Sequence, residues 1–187
     1  MSSNSYEQLL KDANQLEKKE LFEQEVNLLD TFLCKNKGKL TSFFVDIYIR
    51  ILYVLVHIVI DGIKLKHYSY DDLSNIFNKH FSISINLYKN NAEYLFYIGN
   101  LLYMSEVYIY YDINQIEKIL NRAYIINNGI LYKWGAINSK SKSKKSSCLL
   151  AQEILLMHDD VLISLKKKGL AGKYILDQLL TNSVKHK

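Results

Sequence analysis

The sequence predicts an all-α protein of about seven or eight antiparallel helices, arranged as a stack of helical hairpins or as an irregular bundle. Its 187 residues include no Pro and only seven Gly, although a fold with many tight turns would need both. Apolar residues recur at steps of three and four along most of the chain, as a helix with one buried face requires. Because 49% of the residues are hydrophobic, we expect one core and a single helical domain over 1–187.

The first two predicted helices form a hairpin with a break near residues 18–20. Both show the spacing of one apolar face, and Gly38 suits the end of the second. The first face comprises Tyr6, Leu9, Leu10, Ala13 and Leu16, and the second comprises Phe22, Val26, Leu29 and Leu33.

The most apolar stretch, 43–65, predicts a buried third helix that starts near Thr41. Its β-branched centre, 51–60, also fits a buried strand, but more than twenty residues without a turn signal favour a helix. Ionisable residues interrupt the stretch, among them Asp46, Arg50, His57 and Asp61. Each charge would cost roughly 2.5 to 3.5 kcal/mol near the centre of a bilayer, so we predict a core helix and no membrane association.

Capping residues mark most of the later helices. Ser69 followed by Asp72 resembles a capping box, Asn91 opens a fifth helix, and Asp112 with Gln115 opens a sixth. The Lys- and Ser-rich segment at about 138–147 has almost no apolar residue and predicts a mobile loop. The later helices are therefore expected at about 69–88, 91–111, 112–126, 147–168 and 170–184.

The two cysteines, Cys34 and Cys148, lie far apart without a flanking histidine, which argues against a zinc site or a secreted disulfide scaffold. The first ten residues lack the basic and apolar segments of a signal peptide. These features favour buried thiols in the cytoplasm.

The first hairpin resembles a tetratricopeptide repeat over about residues 6–34. Tyr6, Leu9, Ala13, Phe22 and Cys34 are among the residues at its packing positions, although the repeat prefers Tyr where Ala13 stands and Pro where Cys34 stands. A second partial match covers about 92–127, with Gly99 at the small position where paired helices approach closely. The resemblance implies a curved stack of helix pairs that binds other proteins.

The sequence contains no recognisable catalytic, metal or cofactor motif. Its histidines form neither an HExxH motif nor an i,i+4 pair, and its glycines form no phosphate-binding loop. The histidines are His57, His67, His80, His158 and His186. We therefore predict no enzyme activity, no metal and no cofactor.

Tyrosine stands out, with fifteen copies, and six aromatic or apolar residues form a stripe on the fifth helix. Such a stripe indicates either a helix packed on both sides or a face left open for a partner, because tyrosine tolerates both settings. The candidate partner-binding tyrosines of this stripe are Tyr94, Tyr97 and Tyr108.

If the helices alternate in direction, the connections after the third and fifth helices lie at the same end of the stack. That end would gather an aromatic and acidic edge suited to a basic partner surface. The edge comprises Tyr68, Tyr70, Asp71, Asp72, Tyr110, Tyr111 and Asp112.

The predicted class is a non-catalytic protein-binding module, and the specific hypothesis is an immunity protein that neutralises a nuclease-type toxin. The alternative is a nucleic-acid-binding or regulatory protein, because residues 138–187 hold ten Lys against four acids. The whole chain has only two arginines, Arg50 and Arg122, which disfavours bidentate contacts to bases. A third hypothesis, an enzyme, would require polar groups from several helices to converge in one pocket.

Overall fold

The structure is a computed structural model that describes residues 3–36, 43–105, 112–140 and 143–184. All regular structure in these ranges is helical, which confirms the all-α class. The chain divides into two compact units, Met1–Leu87 and Tyr88–Lys187. Among the described residues, none of the helices combines the length and apolarity that a membrane span requires.

The described residues of the first unit form four helices that pack in sequence order, each against the next. They are α1 (Ser3–Lys18), α2 (Phe22–Lys35), α3 (Phe43–Ile60) and α4 (Tyr70–Leu87). Glu20, with a left-handed φ of 55°, turns the chain between α1 and α2. The predicted hairpin is therefore present, whereas Gly38 lies outside the described residues.

Helix α3 is the centre of this unit. Its sequence is apolar on nearly all sides, and most of its residues from Phe44 to Ile58 are buried. Tyr6 on α1 donates a hydrogen bond to Asp46 on α3 at 3.1 Å, and Asn14 accepts one from Arg50 at 2.8 Å. The contacts occur in the same order along both helices, so α1 and α3 run in the same direction, as alternating helices do.

The described residues of the second unit form six helices, of which α5 is the most deeply buried. They are α5 (Ala92–Met104), α6 (Ile113–Ile126), α7 (Ile130–Asn138), α8 (Lys144–Met157), α9 (Asp159–Lys166) and α10 (Leu170–Val184). Helices α6 and α7 pack on α5, α8 packs on α7 and α10, and α9 packs on α10. A Cβ added at Gly99 would lie 2.6 Å from Leu120, which shows the predicted close approach of α5 and α6.

The expected number of seven or eight helices was wrong, because the described residues form ten. Helix α7 lies in a stretch for which the pattern predicted no helix, and the helix expected over 147–168 is divided at His158 into α8 and α9. The predicted loop at 138–147 is also shorter, since Asn138 ends α7 and Lys144 begins α8. The part of the predicted fifth helix beyond Ser105 falls on 106–111, outside the described residues.

Candidate partner-binding surface

The described part of the predicted edge in the first unit is the 68–72 surface, comprising Tyr68, Tyr70, Asp71 and Asp72 at the entry to α4. The Ser69 hydroxyl accepts a hydrogen bond from the Asp72 amide at 3.2 Å, and the Asp72 carboxylate accepts one from the Ser69 amide at 2.9 Å. This is the predicted capping box, which defines where α4 begins. The hydrogen bonds from the Ser69 hydroxyl and amide lower the pKa of Asp72.

The segment before α4 is tied to α2 by Glu23. Its carboxylate accepts hydrogen bonds from the backbone amides of Lys66 at 3.0 Å and His67 at 2.8 Å, and lies 2.8 Å from Nδ1 of His67. The hydrogen bond from Lys66, together with those from His67, lowers the pKa of Glu23. A second tie joins the Tyr68 hydroxyl to the side chain of Asn27, also on α2.

These ties leave Tyr70 and Asp71 pointing outward from the first turn of α4. Tyr70 is 59% exposed, and Asp71 is exposed beside it. Tyr68 and Asp72 are instead used for holding the connection and capping the helix. Tyr70 and Asp71 are therefore available to a partner, whereas Tyr68 and Asp72 hold them in position.

Basic residues adjoin this surface along the chain. Lys64, Lys66 and His67 are all exposed in the same connection, and Asp61 pairs with His57 at 3.0 Å. The 68–72 surface and the connection before it therefore carry opposite signs of charge. Its aromatic side chain is a better source of affinity than its net charge.

The tyrosine stripe of the fifth helix is core where the structure describes it, which corrects the interpretation of Tyr94 and Tyr97 as contacts for a partner. Tyr94 is 0% exposed and Tyr97 is 3% exposed, because α6 and α7 pack on the helix that carries them. Tyr108, Tyr110 and Tyr111 lie outside the described residues. Asp112 caps α6 by accepting a hydrogen bond from the Asn114 amide at 3.2 Å, within the second unit.

An exposed apolar face on α8 was not predicted. Leu156 and Met157 are 80% and 76% exposed, and Leu149, two helical turns before Leu156, is also exposed. The opposite side of α8 buries Leu150, Ala151 and Ile154. The sequence of α8 holds adjacent leucines at 149–150 and again at 155–156, so its pattern alone did not distinguish the outer from the inner side chains.

The described residues contain no group of three or more His, Cys, Asp or Glu side chains able to hold a metal ion. Comparison with family models, curated proteins and solved structures finds no significant match for this chain.

Proposed function

We propose that this chain is a non-catalytic protein-binding module, and that it acts in the cytoplasm as an immunity protein that neutralises a nuclease-type toxin. The observation that carries the proposal is that Tyr70 and Asp71 are exposed on a segment whose position is fixed, an arrangement called here the fixed display. Glu23 and Asn27 of α2 hold the preceding connection, and the Ser69–Asp72 capping box sets the first turn of α4.

A fixed display of this kind favours binding, because little conformational freedom is lost when a partner docks. An exposed tyrosine supplies a large contact area with only two side-chain torsions to immobilise. The partner that suits this arrangement places an apolar pocket over the Tyr70 ring and a basic side chain against Asp71. A toxin that binds a nucleic-acid backbone has such basic side chains in its cleft.

The experiment is native co-purification from the source cell, followed by mass spectrometry and titration of the captured partner. We expect a partner that binds one to one, and nuclease activity that falls to the background value when the two proteins are equimolar. Capture of a partner with no toxic activity would reject the immunity role while keeping protein binding. A chain that captures no protein but binds nucleic acid with a steep loss of affinity in salt would reject both.

A further inference from the structure

Helices α2 and α4 of the first unit bring four reactive or titratable side chains together. Asp30 and Cys34 lie one turn apart on α2, and Lys79 and His80 are adjacent on α4. Nζ of Lys79 lies 2.8 Å from Oδ1 of Asp30 and 3.0 Å from Sγ of Cys34. The same oxygen of Asp30 lies 2.6 Å from Nε2 of His80 and 3.4 Å from Sγ of Cys34.

The Asp30 carboxylate positions the amine beside the sulfur. Burial alone would raise the pKa of Asp30, but the hydrogen bonds from Lys79 and His80 outweigh burial and lower it. Burial would likewise lower the pKa of Lys79, but its hydrogen bonds to Asp30 and Cys34 raise it. Lys79 is therefore an ammonium group at neutral pH, directed at the sulfur. Cys34 is partly exposed, so a small oxidant can reach it.

We propose that Cys34 and Lys79 form a modification site, at which hydrogen peroxide converts the Cys34 thiolate and the Lys79 ammonium into a covalent sulfur–nitrogen link between α2 and α4. In the first step the Cys34 thiolate attacks one peroxide oxygen and the O–O bond breaks. The leaving hydroxide takes a proton from the Lys79 ammonium. The products are a sulfenic acid, one water and a neutral amine.

In the second step the neutral amine of Lys79 attacks the sulfur of the sulfenic acid. A sulfur–nitrogen bond forms, the sulfur–oxygen bond breaks, and the hydroxyl leaves as water with a proton from the amine. Overall, the cysteine sulfur loses two electrons, the peroxide gains them, and the protein loses two hydrogen atoms. The ammonium thus serves as the acid of the first step and, once deprotonated, as the nucleophile of the second.

The second cysteine provides a matched control within the same chain. Cys148 is buried on α8, and its Sγ lies 3.7 Å from the carbonyl oxygen of Ser183 on α10. This sulfur is presented to a backbone acceptor rather than to an amine. The Cys148→Ser variant therefore leaves the site intact and removes the oxidation products that the second thiol would contribute.

The test treats Cys148→Ser with hydrogen peroxide and maps the products by mass spectrometry. We expect a protein lighter by two hydrogen atoms, a cross-linked pair of peptides containing Cys34 and Lys79, and complete reversal by dithiothreitol. A link across 45 residues also restricts the unfolded chain, so Tm should rise on oxidation and fall back on reduction.

Lys79→Arg, placed in the same background, keeps the positive charge but supplies a poor nucleophile. Its oxidised Cys34 should remain a sulfenic acid that dimedone traps, whereas the same probe should label the Lys79 protein only weakly. The proposal is overturned if Cys34 of the Lys79 protein takes up oxygen atoms without a link to Lys79, forms a disulfide with a second copy, or does not react. Peptide mapping of the oxidised wild-type chain gives the same readout if Cys148→Ser does not fold.

Discussion

Oε1 of Glu25 on α2 lies 3.6 Å from Nη1 of Arg50 on α3, and the Glu25 side chain is fully buried. Neither carboxylate oxygen has a hydrogen-bond partner among the described residues, whereas Glu17 accepts a hydrogen bond from Arg50 at 3.1 Å. Glu17 thus compensates the Arg50 charge. Burial raises the pKa of Glu25 to about 8 against the opposing attraction of Arg50.

The buried Glu25 makes the stability of the first unit depend on pH. Between its ordinary pKa of 4.5 and its folded value of about 8, the folded state holds a proton that the unfolded state has lost. Its contribution to stability is therefore fully present below pH 4.5 and is lost as the pH rises towards 8. We expect a loss on the order of a few kcal/mol in the free energy of unfolding.

Glu25→Gln isolates this contribution, because a glutamine resembles the protonated acid and does not titrate. The difference in unfolding free energy between the variant and the wild type, measured by urea titration at several pH values, should change between pH 4.5 and 8 in favour of the variant. A difference that stays constant with pH would show that Glu25 is ionised in the folded protein. Taking the difference removes the titration of carboxylates such as Glu23 and Asp30 that both proteins share.

Two glycines of the second unit should differ in how much an added methyl group destabilises the fold. At Gly99 a Cβ would meet the Leu120 side chain at 2.6 Å, whereas at Gly172 it would lie 1.8 Å from the backbone oxygen of Leu165. A side chain can shift but a helix backbone moves as a unit. We expect Gly99→Ala to cost roughly 1–3 kcal/mol and Gly172→Ala to cost more than that.

Thermal unfolding of the two variants and the wild type under the same conditions tests this order of destabilisation. Gly62→Ala is the control, because its φ of +63° strains an alanine although no atom lies within 4 Å of the added Cβ. That strain should cost about 1–2 kcal/mol. If Gly172→Ala melted at the wild-type temperature, the close crossing of α9 and α10 would be incorrect.

Most of the structural features that could be predicted from the sequence depend on residues within one helical turn of each other. Ser69 with Asp72, Asn91 and Asp112 all cap helices as expected, because a cap needs only its own residues and the next three. Gly99 was identified as a close approach from the partial resemblance to a tetratricopeptide repeat, which places a small residue at that position. The cap of α7 gave no such signal, since Gly129 has no side chain to accept a hydrogen bond.

Features that depend on distant residues could not be predicted. The break between α8 and α9 at His158 has neither Gly nor Pro to mark it, and α9 packs on α10 through residues that lie later in the chain. Tyr94 and Tyr97 suit a core and an interface equally well until their neighbours are known. Lys79 meets Asp30 across 49 residues, a contact that no local spacing predicts.

Glu23 should control the 68–72 surface without contacting the partner. Replacing it with Ala removes the acceptor for the amides of Lys66 and His67, so we expect faster hydrogen exchange at those two amides and weaker partner binding. The fold should persist because the Glu23 side chain lies in the first turn of α2. Gln24→Ala, an exposed neighbour on the same helix, is the control and should change neither measurement. Protected amides in Glu23→Ala would show that the connection is held by other contacts.

The exposed pair Tyr70 and Asp71 should carry the binding energy of the 68–72 surface. In the variant Tyr70→Ser with Asp71→Ser, each change should alter the unfolding free energy by less than about 0.5 kcal/mol, because neither side chain caps α4 or packs in the core. Partner affinity, measured by calorimetry, should nevertheless fall by about 2–4 kcal/mol if Tyr70 is a binding hot spot. The loss due to Asp71 alone should diminish at high salt, because an exposed charge acts mainly through screened attraction.

The matched comparison is Leu149→Ser with Leu156→Ser on the exposed face of α8, which removes apolar area from the second unit and leaves the 68–72 surface unchanged. Tyr94→Ala does not serve as a comparison, since truncating a fully buried aromatic side chain costs roughly 3–5 kcal/mol of stability and would lower binding through unfolding. We expect the α8 variant to retain wild-type affinity while the Tyr70 and Asp71 variant loses it. The reverse result would place the interface on α8, and the fixed display at the entry to α4 would then have no part in binding.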